Sequence, residues 1–100
     1  MVNGERHTAS VLVQPEHIEP WPVADFAALA EAHFARVAEL RPEVVLLGTG
    51  SRLRFPRSGL TAPLARARIG FEVMDLQAAC RTYNILMAEE RKVLAALLFA

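Results

Sequence analysis

The run Val44-Val45-Leu46-Leu47 constrains the fold more than any other stretch of this chain. Four apolar residues follow one another without a polar break, β-branched at the start and bounded by Pro42 and Gly48. That is the pattern of a short strand buried on both faces, which needs cover on each side of its sheet. The rest of the chain supplies further strands and helices in alternation. Residues 9–13 read as a short strand and residues 71–74 as another. The closing run RKVLAALLFA is compatible with helix by composition, but its length and position in the alternation favour a last buried strand. Strands alternating with helical segments predict an α/β protein.

The helical segments show their boundaries. Asp25 is a good N-cap, and winding residues 26–40 as a helix places Phe26, Leu29, Ala30, His33, Val37 and Leu40 on one face. A break near Ala32 would divide it into two short helices, and Pro42 ends it at or before Arg41. Thr61 and Pro63 suit the first turn of a short helix that closes at Gly70. Asp75 caps a third helix, in which Leu76, Ala79, Cys80, Tyr83, Leu86 and Met87 share a face. Before these helices, Pro15, Pro20 and Pro22 hold PEHIEPWPV extended, and Trp21 is expected to plug the core at a sheet edge.

The chain has 100 residues, 53% of them apolar and 22% charged, which is the size and balance of one ordinary globular domain over residues 1–100. Eleven basic and eleven acidic residues cancel, so no global charge draws the protein to nucleic acid or anionic lipid. The distribution is uneven. Residues 1–50 hold seven acids and three bases, whereas residues 51–70 hold five arginines and no acid. Cys80 is the single cysteine, which excludes an internal disulfide framework. No apolar run approaches the roughly 18–20 residues of a membrane span, and no basic start leads into an apolar leader, so a cytoplasmic placement is expected.

Catalytic motifs are missing where the chain comes nearest to them. The stretch VVLLGTGSRLRFP lacks the lysine of a phosphate-binding P-loop. It also has Leu53 where a dinucleotide fingerprint needs a third glycine. His7, His17 and His33 lack metal-ligand spacing, and His33 reads as a satisfied core histidine. Ser10, Ser51 and Ser58 lie in no nucleophile elbow. Cys80 is expected to be a small buried hydrophobe, and Tyr83 to pack its ring and direct its hydroxyl to a backbone partner. No catalytic residue, cofactor or metal is therefore assigned.

One candidate surface remains. The Gly48-Thr49-Gly50 loop leaves the carboxyl end of a buried strand, the usual ligand position in open α/β sheets, and Arg52 and Arg54 follow it. Arg81 and Asn84, with Gln77, form a polar ridge along the third helix. Arg81 is expected to pair with Asp75 or Glu72, the alternative being a partner's carboxylate. The surface is thus Gly48, Thr49, Gly50, Arg52, Arg54, Arg81 and Asn84, serving a protein partner, or alternatively an anion or small ligand.

Four stretches together resemble a known family: VNGERH, PWPV, RPEVVLLGTGSRLRFP and GFEVMDLQAACRTYNILMAEERKVLAALL. They are similar to the Mth-domain (Mth938-like) family of small proteins of unknown function, which includes a mitochondrial assembly factor for respiratory complex I and an adipogenesis-associated protein. The resemblance implies a three-layer α/β fold with a central mixed sheet, helices on one side and a β-hairpin layer. It implies a non-catalytic protein-interaction domain, an assembly factor for a respiratory or other membrane complex, whose partners would be membrane-complex subunits. Neither nucleic acid nor direct membrane insertion is expected, and the chain is expected to be a monomer or weak homodimer. Relatives usually carry a strand before the VNGERH-like stretch, and here that stretch begins at Val2. The strand at residues 9–13 is then expected to be an unpaired edge, open to another chain.

Overall fold

A computed structural model describes residues 10–99. The strands are β1 (Ser10–Gln14), β2 (His17–Trp21), β3 (Val44–Thr49), β4 (Gly70–Met74) and β5 (Val93–Leu98). The helices are α1 (Glu31–Glu39), α2 (Ala62–Arg66) and α3 (Leu76–Ala88), with a 3-10 turn at Phe26–Ala28 before α1. One mixed sheet holds all five strands in the order β2-β1-β5-β3-β4. β3 runs parallel to both β4 and β5, and β1 runs antiparallel to β5 and β2.

The uninterrupted apolar runs form the two strands nearest the middle of the core. Every residue of β3 and of β5 is buried. Alternate side chains go to opposite faces, as the period of a strand requires. Val45, Leu47, Leu94, Ala96 and Leu98 pack with Phe34 and Val37 of α1 and Leu64 of α2. Val44, Leu46, Val93, Ala95 and Leu97 pack with Ala79 and Tyr83 of α3. The expected α/β fold around a central mixed sheet therefore forms, but the helices do not lie on one side and the hairpin is not a separate layer, because the two strands buried on both faces need helical cover on each. Its helices divide between the two faces, α1 and α2 on one and α3 on the other. The one hairpin among the described residues, β1–β2, continues the sheet as its margin.

That hairpin changes which strand is the edge. β1 is paired on both sides, with β2 and with β5, so the expected open edge at residues 9–13 is not there; the VNGERH stretch lies outside the described residues. The edge is β2. A two-residue turn at Pro15-Glu16 makes Gln14 and His17 a hydrogen-bonded pair. Parity then turns the backbone groups of Glu19 and Trp21 inward to β1 and those of Ile18 and Pro20 outward. Pro20 sits where no donor is used, the position a proline can occupy on an edge strand.

Trp21 closes β2 and is fully buried, as its place between two prolines suggests. Its ring lies edge-on to Phe34 at 5.8 Å between centroids, and its Nε1–H donates to the His33 carbonyl at 3.1 Å. The predicted helix over residues 26–40 is interrupted. Asp25 caps only the 3-10 turn, accepting from the Ala28 amide at 3.0 Å, and Leu29 and Ala30 are extended before α1 begins. The break rephases the helix so that Phe34 and Val37 face the sheet. His33 then caps the new start: its Nδ1 accepts from the Ala30 amide at 2.9 Å, which leaves Nε2–H to donate to the Pro22 carbonyl at 2.9 Å.

The helix ends also depart from expectation. α2 stops at Arg66, and the left-handed residue after it is Arg68 at φ 58°, not Gly70, which is the first residue of β4. Arg41 after α1 and Glu90 after α3 occupy the same left-handed position, at φ 52° and 62°. All three helices thus close without glycine where glycine is the usual residue.

Candidate functional site

Gly48 and Gly50, which give the GTG loop its look of a phosphate cradle, have separate structural tasks. A Cβ on Gly48 would lie 3.0 Å from the Cβ of Ala79 and 3.0 Å from Cδ2 of Leu97. Glycine is needed there because α3 crosses β3 at close range. Gly50 adopts φ 77°, a left-handed conformation natural to glycine. Its carbonyl accepts from the Leu76 amide at 2.7 Å, tying the loop to the first turn of α3.

Thr49 locks the loop that follows. Its hydroxyl donates to the Arg52 carbonyl at 2.6 Å and accepts from the Arg54 amide at 3.1 Å. With its proton and one lone pair engaged inside the protein and the residue buried, it is not presented to a ligand. Gly48, Thr49 and Gly50 are accordingly the buried base of the candidate surface, and only its other members reach solvent.

Arg52 is exposed. Arg54 is exposed too, with its guanidinium 5.7 Å from the centroid of the Phe26 ring, a cation–π contact that ties the loop to the 3-10 turn. Arg81 and Asn84 lie on the outer face of α3, both exposed. The expected pairing of Arg81 with Asp75 or Glu72 is absent: Asp75 instead caps α3 by accepting from the Ala78 amide at 2.8 Å. Arg81 takes part in no ion pair among the described residues. The structure therefore brings the GTG loop to the start of α3 through Gly50, whereas no hydrogen bond joins Arg81 or Asn84 to the loop arginines among the described residues.

Two further expectations on α3 are corrected. Leu76, Ala79, Tyr83 and Leu86 make the packed stripe, and its centre lies roughly 80° around the helix from Cys80. Cys80 is consequently exposed rather than a buried hydrophobe, and Met87 is exposed as well. Tyr83 packs its ring as expected, and burial raises the pKa of its phenol. Its hydroxyl makes none of the hydrogen bonds found among the described residues.

Sequence reasoning missed the exposed apolar side chains beside the arginines. Leu53 is 51% and Phe55 is 71% exposed, in a stretch without regular secondary structure between Arg52 and Arg57. The signal was present in the alternation Arg-Leu-Arg-Phe, which an exposed loop does not need. Two clefts of about 660 and 650 Å³ lie elsewhere, at the amino ends of the parallel strands. They are lined by residues such as Arg41, Pro42 and Arg68, or His17, Met87 and Arg91, and include no member of the candidate surface. Among the described residues no three His, Cys, Asp or Glu side chains gather as a metal site. No helix among them is long and apolar enough to cross a membrane.

Comparison with known proteins agrees with this architecture. Residues 1–98 match the family described as protein of unknown function (DUF498/DUF598). The human NADH dehydrogenase [ubiquinone] 1 alpha subcomplex assembly factor 3 is 32% identical over 100 residues, covering 98% of this chain and 54% of the relative. The chain thus spans about half the length of that relative. A crystal structure of a Bordetella parapertussis protein superposes with a TM-score of 0.85 at 41% identity, covering 98% of this chain and 85% of that one. The solution structure of a Bordetella pertussis protein, a Mth938-like domain, gives a TM-score of 0.81 at 35% identity, covering 96% and 77%. On its sequence match and its sheet alike, this chain belongs to the DUF498/DUF598 family and has the Mth938-like α/β fold.

Proposed function

We propose that this chain is a non-catalytic protein-interaction domain over residues 1–100 that assists assembly of a respiratory or other membrane complex. The observation that carries the reading is the 32% identity, across 98% of this chain, with a protein named as a complex assembly factor. The loop supports it from the side of chemistry. Its glycines and threonine are spent on packing and internal hydrogen bonds, while Arg52, Arg54, Arg81 and Asn84 are presented outward on a rigid base. That division suits a contact surface. Anion or small-ligand binding at Gly48–Gly50 gains no support, since the Thr49 hydroxyl is engaged and neither cleft lies there.

Crosslinked affinity purification from native cells, with membranes solubilised and proteins identified by mass spectrometry, tests the reading. Subunits of one membrane complex should be enriched with the wild-type bait and lost with Arg52→Ala/Arg81→Ala. Both side chains are exposed, so the variant should fold. Recovery of the bait alone, or enrichment indifferent to the double variant, would overturn the proposed surface.

A further inference from the structure

Residues 51–58 join two features that a solvated loop does not require. Leu53 and Phe55 stand 51% and 71% exposed in a stretch with no regular secondary structure, so they are not held in the core and offer no helix face or strand edge. Around them lie Arg52, Arg54 and Arg57, within a twenty-residue span that contains five arginines and no acid. Among the described residues, Arg66 alone of these five meets a carboxylate, Glu31 at 3.9 Å. Arg52, Arg54 and Arg57 are all exposed; Arg54 is also held over Phe26, which leaves Arg52 and Arg57 without a contact of that kind beside the two apolar side chains.

We propose that residues 51–58 dock this protein peripherally on an anionic lipid surface, without any spanning segment. Phe55 and Leu53 enter the boundary between headgroups and acyl chains, while Arg52 and Arg57 reach the phosphates. The chemistry favours a bilayer over an acidic protein for two reasons. The apolar side chains project outward, and a deformable interface opens around projecting groups without a matching socket. Arginine stems can also lie along the apolar layer while their guanidinium groups stay with the phosphates.

The charge pattern then orients the molecule. The chain is neutral overall, so attraction is confined to about one Debye length, roughly 10 Å, from this basic span. The inference shares Arg52 with the surface assigned to assembly, but it is measured with lipid alone and through Leu53, Phe55 and Arg57 as well, so the two readings fail separately.

The test is co-sedimentation of the full chain with vesicles of phosphatidylcholine containing roughly 40% phosphatidylglycerol, compared with neutral phosphatidylcholine vesicles. Binding should occur on the anionic vesicles, weaken strongly between roughly 0.05 and 0.5 M salt, and be absent on neutral ones. Leu53→Ser/Phe55→Ser should lower the partition coefficient at least about tenfold. Arg52→Gln/Arg57→Gln should lower it by about thirtyfold at low salt, some fivefold for each cation. Circular dichroism of each variant should match wild type, since all four side chains are exposed. No binding to anionic vesicles, or binding unchanged by both double variants, would overturn the proposal. So would tighter binding to a polyglutamate peptide than to the vesicles, which would assign the surface to an acidic protein.

Discussion

Gly48→Ala is the sharpest perturbation of the contact between α3 and the sheet. The added methyl would meet Ala79 Cβ and Leu97 Cδ2, each at 3.0 Å, where ordinary contacts are 3.4 Å or more. Leu97 can turn its branch aside; Ala79 cannot, because its Cβ moves only with the backbone of α3. The helix must therefore lift by several tenths of an ångström along a face shared with Val44, Leu46, Val93 and Ala95. Overpacking of this kind costs roughly 1–3 kcal/mol. Alanine regains about 0.5–1 kcal/mol over glycine in a strand interior, so the net loss, taking the middle of each range, is about 1 kcal/mol. Urea denaturation reads it directly, and for a domain of this size each 1 kcal/mol lowers Tm by roughly 4–8 °C. The double-mutant cycle with Ala79→Gly isolates the clash. Ala79→Gly alone is destabilising through helix propensity, by about 1 kcal/mol. Combined with Gly48→Ala it should cost less than the sum of the two single changes. Unchanged or increased stability of Gly48→Ala, or strict additivity in the cycle, would refute the close-approach account of the first glycine.

Other predictions follow from the helix ends and the charged margin. Glu90→Gly should stabilise the protein by about 0.5–1 kcal/mol in urea, because it removes a left-handed non-glycine residue and an acid from the negative end of α3. The gain from Arg41→Gly or Arg68→Gly should be smaller, since each also removes a cation from a helix C-terminus. The Arg36 guanidinium hydrogen-bonds Glu19 at 2.8 and 2.9 Å and His17 adds a third contact at 2.8 Å, lowering the Glu19 carboxyl from 4.5 to about 2. Its stabilisation is complete above the ordinary carboxylate value of 4.5 and is lost as pH falls from there toward 2. Thermal melts should thus show a steeper fall over that window in wild type than in Glu19→Gln. His33→Ala should cost about 1–2 kcal/mol by freeing the Ala30 amide and the Pro22 carbonyl, with His33→Gln restoring part of it; equal stability of all three chains would contradict the capping role.

The elements legible in the sequence are those whose signal is local and strong. β3 and β5 declare themselves by unbroken apolar runs, and Asp25 and Asp75 cap the turns they precede. Reading residues 26–40 as one helix hid Phe34; the break allowed near Ala32 falls instead at Leu29 and Ala30, and it brings Phe34 onto the packed face beside Val37. Cys80 shows the same limit on a smaller scale. It falls inside the apolar arc drawn from sequence, but the stripe that packs is centred on Ala79 and Tyr83. The GTG loop was visible, yet what Gly48 is for depends on a helix that begins 28 residues later. A non-local approach of that sort leaves no periodic trace. Arg81 was misjudged because Asp75 was already committed to capping, a competition that spacing alone does not reveal.

The claim at the centre of this account is that the outward residues of the loop and of α3 serve the assembly of a membrane complex. Deleting the coding sequence in the native host and resolving solubilised membranes by native gel electrophoresis tests it most directly. The account predicts loss of one assembled complex with accumulation of its subassemblies, rescued by wild type and not by Arg52→Ala/Arg81→Ala. An unaltered pattern of complexes in the deletion strain would contradict it.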